Sequence, residues 1–196
     1  QIDSSLKEGI DYEVEYLDNV NVGMATIKVK GIGCYAGQTQ SFSFRILQAD
    51  PAFEAPSGLA ATYGQTLADV ALPGGFSWQE DASTPVGAVG DNGFHASFTP
   101  ADSRNYKTVR DIPVAVSVSP ASIEGLDFGV DEGDAVYTGE PLTKAVSRAG
   151  LAEGTDYKVT YSDNVEAGTA KLVIEGMGNY SGRQEHSFRI LQADPA

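Results

Sequence analysis

Apolar and polar residues alternate one by one along most of this chain. The clearest example is YKVTYS, in which Tyr157, Val159 and Tyr161 are separated by single lysine and threonine residues. Because successive side chains of a β-strand point to opposite faces, such a segment forms a strand with one apolar face and one polar, solvent-exposed face. No segment carries a 3.6-residue apolar stripe over three helical turns, so we predict an all-β protein.

The same alternation predicts strands in three regions of the chain. They lie around residues 12–16, 25–29 and 44–47, at 75–79, 94–99 and 108–118, and at 156–163, 169–175 and 188–191. Residues 66–70 fit a short helical turn, and residues 87–93 fit a glycine-containing turn. Pro113 has no N–H to donate to a neighbouring strand, so the strand that contains it is predicted at a sheet edge or a bulge.

One stretch of the chain occurs twice, with a different segment between the copies. Residues 6–37 and 151–182 are identical at sixteen of 32 aligned positions. Both copies continue to the same nine residues, FRILQADPA, at 44–52 and 188–196. A chain that uses one module twice is built as an array.

The repeat predicts small β-sandwich or β-grasp-like modules in an elongated array. We place a complete module at 119–194, a module of a second type at 53–118, a partial module at 1–49, and short proline-containing linkers at 49–52 and 119–121. Proline fixes its own φ and restrains the residue before it, so such linkers bend less than Gly/Ser linkers.

Nothing before Leu6 matches residues 123–146, so we interpret the first module as one that lacks its opening strands. We therefore expect an exposed sheet edge and a partly open core there. Exposed edges pair with other strands, which predicts intermolecular strand pairing at residues 1–49.

Two sets of motifs resemble modules of bacterial surface proteins. The pattern G-x-D-Y-x-V-x-Y followed by G-x-G-x-Y-x-G, at 154–182, is similar to a module common in multi-repeat surface proteins of Gram-positive bacteria, with Asp163 in place of the usual asparagine. The middle module, with TYGQTL at 62–67 and FTPADSRNY at 98–106, resembles the MBG domain of the YGX type in adhesins. The resemblance implies an extracellular, cell-wall-attached protein with a stalk-like or adhesive role and no catalytic residues.

Composition excludes several classes of partner. The net charge of −14 over 196 residues repels nucleic acid and anionic lipid. No apolar run approaches the roughly 18 residues of a membrane span, so no membrane insertion is expected. The single cysteine, Cys34, aligns with Asn179 of the other copy, so the module does not depend on a disulfide.

Three aromatic residues are the candidate ligand-binding residues. Trp78 is the single tryptophan, and Tyr35 and Tyr180 lie among glycines, where an exposed ring could stack on a sugar. The competing interpretation is that Trp78 anchors a small core beside Phe76 and that both tyrosines plug the end of a sheet. Four further tyrosines share a strand face with valines and are predicted to lie in the core: Tyr12, Tyr16, Tyr157 and Tyr161.

No combination of residues predicts catalysis, a cofactor or a metal site. The GxG sequences precede another strand rather than the helix N-terminus that a phosphate loop needs, so we interpret them as turns. Zinc needs several histidines or cysteines at set spacings, and His95 and His186 are far apart in sequence and occupy different module positions. The acidic residues near the start of the last module do not match an EF-hand and predict a solvated surface: Asp127, Asp131, Glu132 and Asp134.

The sequence therefore favours a structural role over an enzymatic one. We predict an extracellular stalk repeat that spaces or displays a distal functional domain. The alternative is an adhesin module that binds a host glycan or host protein, in which linked weak sites gain avidity.

Overall fold

The computed structural model describes residues 5–131 and 133–194. Within these ranges the regular structure consists of strands and two single-turn 3-10 helices, at Gly33–Tyr35 and Leu67–Asp69, with no α-helix. The predicted all-β fold is confirmed. The described residues also contain no helix that is long and apolar enough to cross a bilayer.

The first three strands form an antiparallel sheet in the order β1-β2-β3. They are β1 at Tyr12–Leu17, β2 at Gly23–Gly31 and β3 at Thr39–Ile46. Tyr16 lies opposite Ile27, and Ile27 lies opposite Phe42, so these three side chains share one face of the sheet. We call this sheet the N-terminal sheet.

The next four strands form a sheet in the order β4-β7-β6-β5. They are β4 at Leu59–Thr62, β5 at Phe76–Trp78, β6 at Gly90–Phe98 and β7 at Val109–Ser119. Strand β6 begins four residues earlier than the sequence predicted, so the turn predicted at 87–93 ends before Gly90. The helical turn predicted at 66–70 is confirmed, and the Asp69 carboxylate accepts the N–H of Thr66 at 2.8 Å.

Strand β7 as a whole lies between two other strands, but Pro113 precedes the part of β7 that pairs with β4, so on that side it lies at a locally open edge, in keeping with the predicted edge or bulge position. Strand β4 pairs with β7 in parallel and only from Val116 onward, so the missing N–H of Pro113 removes no bond to β4. The regular strand is interrupted two residues earlier at Asp111, whose φ is 57° and whose N–H donates to Gln79 Oε1 at 3.0 Å.

The last eight strands belong to the second copy of the repeat. They are β8 at Ala121–Ser122, β9 at Gly129–Val130, β10 at Ala135–Val136, β11 at Val146–Ser147, β12 at Tyr157–Ser162, β13 at Gly168–Gly176, β14 at Tyr180–Ser181 and β15 at Arg183–Leu191. A four-stranded sheet has the order β10-β15-β13-β12, and two short pairs, β9 with β11 and β8 with β14, accompany it.

The two copies of the repeat fold in the same register. Ala25 pairs with Phe44 in the first copy, and Ala170 pairs with Phe188 in the second. The G-x-D-Y motif is explained by the loop before each sheet. There Asp11 accepts the N–H of a residue four positions earlier at 2.9 Å, and Asp156 does the same at 2.9 Å.

Contacts divide the chain into two compact units. Unit 1 contains the residues up to Ala55 together with 73–79 and 95–112, and unit 2 contains 56–72, 80–94 and the residues from Pro113 onward. The boundary between the units falls within β6 and β7, inside the segment 53–118 that the sequence predicted as one module.

The apolar core of the last copy of the repeat lies in unit 2. Its fully buried members are Ile123, Phe128, Tyr157, Ala170, Leu172, Ile174, Phe188 and Ile190. Among the described residues of 5–49, by contrast, Ala25 alone is fully buried. Two copies with the same register therefore differ sharply in how much of their sheet is covered.

Candidate functional site

One face of the N-terminal sheet carries several exposed aromatic residues, and we call it the open face. Cross-strand pairing and period-2 alternation place ten residues on it: Tyr12, Val14, Tyr16, Ala25, Ile27, Val29, Gln40, Phe42, Phe44 and Ile46. Tyr16 is 56% exposed, Phe42 44% and Phe44 38%. The tyrosines of this strand were predicted to lie in a core, and for Tyr16 that prediction is wrong.

In the second copy the equivalent face is covered. Residues 121–151, the opening segment, precede β12 and place Ile123, Phe128 and Leu142 against the sheet. The Phe128 ring meets the Tyr157 ring edge-to-face with centroids 5.1 Å apart. Tyr157 is consequently 3% exposed, as predicted for this tyrosine, and its burial raises the pKa of its phenol.

Three polar side chains of the second copy fasten the opening segment through its backbone carbonyls. Tyr161 Oη donates to the carbonyl oxygen of residue 144 at 2.7 Å. Asn164 Nδ2 donates to the carbonyl of residue 142 at 2.8 Å. Gln184 Nε2 donates to the carbonyls of residues 123 and 126 at 2.5 and 2.7 Å. These bonds satisfy carbonyl groups of a segment that has little regular structure of its own.

An Asp-Asn pair stands in the hairpin turn of each copy, at 18–19 and 163–164. Asn164 bonds to the opening segment, and the left-handed position of the turn is taken by Asp163, with a φ of 55°. Asp18 occupies the same conformation in the first copy, with a φ of 54°. Aspartate tolerates this region better than most residues, which explains its place in both turns.

The two candidate tyrosines of the GxGxYxG turns have different surroundings. Tyr180 packs against the core of the second copy, and its ring meets the Tyr63 ring edge-to-face at 5.4 Å. Burial raises the pKa of its phenol, with a smaller effect from Tyr63. Tyr35 lies in the 3-10 turn after β2 and is 44% exposed. Tyr35 is therefore the more accessible of the two rings.

The glycines of these turns are required for two different reasons. Gly33 and Gly178 have positive φ angles of 58° and 61°, as the turn interpretation predicted. Gly31 and Gly176 are instead needed for close packing. A Cβ at Gly31 would lie 2.1 Å from the carbonyl oxygen of Tyr35, and one at Gly176 would lie 2.6 Å from a backbone nitrogen.

Trp78 lies on the edge strand β5 and is half-buried. It pairs with Ala96, which is completely buried, so its ring is on the covered side of the strand. Three phenylalanines form a ring cluster on unit 1: Phe53 with Phe98 at 5.2 Å, Phe53 with Phe76 at 6.0 Å and Phe76 with Phe98 at 4.8 Å. Trp78 is therefore neither buried like a core residue nor exposed like a ligand-binding ring.

Within unit 1, the loop at 102–107 bonds to the N-terminal sheet and its outgoing linker. Asn105 Nδ2 donates to Asn21 Oδ1 at 2.9 Å, and Asn105 Oδ1 accepts the N–H of Val22 at 2.8 Å. Asp102 fixes Asn105 by accepting its side chain at 2.8 Å, and this bond lowers the pKa of the Asp102 carboxyl. The ADSRNY part of the motif at 98–106 is thus a joint, a role that sequence reasoning missed.

The linker at 49–52 takes part in the same joint. The N–H of Ala49 donates to the carbonyl of Asn105 at 2.9 Å, and the N–H of Lys107 donates to the carbonyl of Ala49 at 3.0 Å. Lys107 also forms an ion pair with Asp50 at 2.8 Å. Gln48 Nε2 donates to the carbonyl of Ser103 at 3.0 Å.

A second joint lies within unit 2. Asn179 Oδ1 accepts the N–H of Val89 at 3.0 Å, and the carbonyl of Asn179 accepts the N–H of Ala121 at 3.0 Å. The Tyr63–Tyr180 ring contact lies beside these bonds. The first copy has Cys34 at the position of Asn179, and its thiol is exposed.

The described acidic residues near the start of the last module are exposed, as predicted, and Asp131 also holds its own loop. Asp131 accepts the N–H of Gly133 at 3.0 Å and pairs with Lys144 at 3.3 Å, and both interactions lower the pKa of its carboxyl. Glu132 lies outside the described residues. In the two described ranges, no group of three or more His, Cys, Asp or Glu residues is placed to hold a metal ion.

No protein-family model matches this chain, and none of the curated proteins is significantly similar to it.

Proposed function

We propose that this chain is a structural repeat segment of an extracellular, cell-wall-attached bacterial surface protein, which spaces or displays a distal functional domain. The support for the location is the resemblance of the two motif sets to surface-protein modules. The support for the spacer role is the construction of the two joints. No enzymatic activity is part of this proposal.

The observation that carries the proposal is that polar side chains and linker backbone bond successive modules to one another. In unit 1, Asn105 joins the hairpin of the N-terminal sheet to the loop that follows β6. In unit 2, Asn179 joins its own turn to the loop before β6 and to β8. A spacer needs such joints, because a flexible connection lets a distal domain fall back toward the surface.

Length scaling tests the spacer role. A bacterial cell can display a reporter tag beyond one copy of the chain, beyond two copies in tandem, or beyond Gly/Ser linkers with the same numbers of residues. The distance of the tag from the cell surface is then measured by super-resolution imaging. We expect it to increase about twofold with the second copy, whereas a flexible coil grows only about 1.4-fold, as the square root of its length.

The Asn105→Ala variant tests the first joint directly. It removes the side-chain bonds of that joint and changes no residue of a strand. We expect it to shorten the mean distance and to broaden its distribution. A native chain that scales like the Gly/Ser linker would overturn the proposal.

The second candidate function is adhesion to a host glycan or host protein, favoured by the 44% exposure of Tyr35. Arrays of glycans and host proteins would test it with the native chain beside Tyr35→Ala and Trp78→Ala. Binding that either substitution abolishes would support adhesion. Binding that both variants retain would exclude these rings as the anchors.

A further inference from the structure

We propose that the open face of the N-terminal sheet is an acceptor site for a polypeptide segment of the same sequence type as the opening segment, residues 121–151. The occupant is a peptide of alternating apolar residues that presents backbone carbonyls to the sheet. The second copy of the repeat supplies the template for this interaction. The proposal is independent of the spacer role.

The polar groups that hold the opening segment in the second copy are also present on the first. Tyr161, Asn164 and Gln184 donate to its carbonyls. Tyr16 and Asn19 occupy the matching sequence positions of the first copy. Gln40 matches Gln184 by strand register, since Gln40 lies opposite Val29 and Gln184 lies opposite the equivalent Ile174. All three are exposed. The first copy therefore presents the same three donor groups, on the same strands and hairpin, that hold the opening segment in the second copy.

The apolar groups agree with this assignment. Phe44 is 38% exposed, whereas its counterpart Phe188 is 3% exposed. Both belong to an FRIL sequence, and each lies opposite the equivalent alanine of its own copy, Ala25 or Ala170. The pairs Ile27 with Leu172 and Val29 with Ile174 show the same change from half-buried to fully buried. A segment that covered the open face would therefore bury apolar side chains whose equivalents are buried in the second copy.

Among its described residues, the first copy also lacks two strand pairings that the second copy has. In the second, β10 pairs in parallel with Ile190 and Leu191 at the end of β15, and β8 pairs in parallel with β14. The first copy has no strand paired with the outer edge of β3 among its described residues, and Leu47 at its end is 66% exposed. Where β14 would lie, the chain instead forms the 3-10 turn at Gly33–Tyr35.

A second copy of the open face is a poorer occupant than such a segment. The N–H and C=O groups of a β-sheet lie in the plane of the sheet, bonded to neighbouring strands. A facing sheet therefore presents side chains but no free carbonyls to Tyr16, Asn19 and Gln40. An irregular segment with unpaired carbonyls satisfies these donors, as the opening segment does in the second copy.

Binding of a synthetic peptide with the sequence of residues 119–151 to the full chain tests the proposal. Fluorescence anisotropy of the labelled peptide should show saturable 1:1 binding. Phe44→Asp should weaken binding at least tenfold, and Asn19→Ala, a milder change that keeps the apolar face, should weaken it severalfold. Ser43→Asp is the matched control, because it adds the same charge on the opposite face of β3, and it should leave the affinity within twofold.

Hydrogen exchange distinguishes binding of the peptide to the open face from displacement of the opening segment by the peptide in the second copy. We expect the peptide to increase protection in β1 and β3 and to leave β12 and β15 unchanged. The proposal is overturned by no binding up to the solubility limit of the peptide, by binding that Phe44→Asp leaves intact, or by protection confined to β12 and β15. Dimerisation of the free chain that Phe44→Asp abolishes would also overturn it, since a second copy would then be the occupant.

Discussion

Phe44 and Phe188 form a natural matched pair for measuring what the opening segment contributes to stability. Each occupies the same position of an FRIL sequence, each lies opposite an alanine on the neighbouring strand, and the main difference is the cover on the sheet. Replacement of either phenylalanine by alanine removes the same atoms from the same backbone. The difference between the two losses of stability therefore measures the contribution of the opening segment, which covers Phe188 and has no equivalent over Phe44.

The expected magnitudes follow from the exposed fractions of 38% for Phe44 and 3% for Phe188. A phenylalanine offers about 200 Å² of surface, so this difference corresponds to roughly 70 Å², or about 1.8 kcal/mol at about 25 cal/mol per Å². Phe188→Ala also leaves an enclosed cavity, and such changes cost about 3–5 kcal/mol in total. Phe44 faces water, so we expect Phe44→Ala to cost about 1–2 kcal/mol.

Native-state hydrogen exchange is the suitable assay, because a chain with two compact units need not unfold in one step. The free energy of local opening is measured in β13 and β15 for Phe188→Ala, and in β2 and β3 for Phe44→Ala. Equal losses in the two sheets would refute the reasoning. With the 119–151 peptide bound, the loss caused by Phe44→Ala should rise toward that of Phe188→Ala.

Three further predictions concern single residues. Tyr161→Phe should lower the free energy of unfolding by about 1 kcal/mol, because it removes the hydrogen bond to the part-buried carbonyl of residue 144, whereas Tyr16→Phe should be neutral. Gly176→Ala should lower the melting temperature of the last module by several degrees, since the added Cβ would meet backbone at 2.6 Å, and Gly74→Ala, with nothing within 4 Å of the new atom, should not. The pKa of Asp131 is lower in the folded protein than in the unfolded chain, so its stabilising contribution is complete above about pH 4 and disappears as the pH falls through the folded-state pKa. Asp131→Asn should therefore show a shallower loss of stability in acid, and an unchanged acid profile would contradict this assignment.

The positions of the candidate site could be predicted only in part from the sequence. The missing counterpart of residues 123–146 correctly predicted that part of the first module's core would be open, and the exposure of Tyr16 and Phe44 confirms it. The individual roles of Asn19 and Gln40 were not foreseen: the identity of Asn19 with Asn164 was visible in the sequence, whereas the match of Gln40 with Gln184 needed the strand register. A side chain that bonds to a distant backbone carbonyl leaves no local pattern, because any carbonyl along the chain can accept.

The sequence by itself determined the long strands with alternating side chains and their two faces, whereas β4, β8–β11 and β14, all four residues or shorter, were not predicted. Alternation of side chains is a local property, so a run such as YKVTYS specifies a strand wherever it occurs, and both copies of the repeat form the same hairpin in the same register. Tertiary structure decided the burial of each face. Tyr12 and Tyr157 have nearly the same neighbours in sequence, and only the second lies beneath Phe128, because burial depends on what a distant segment places over the sheet.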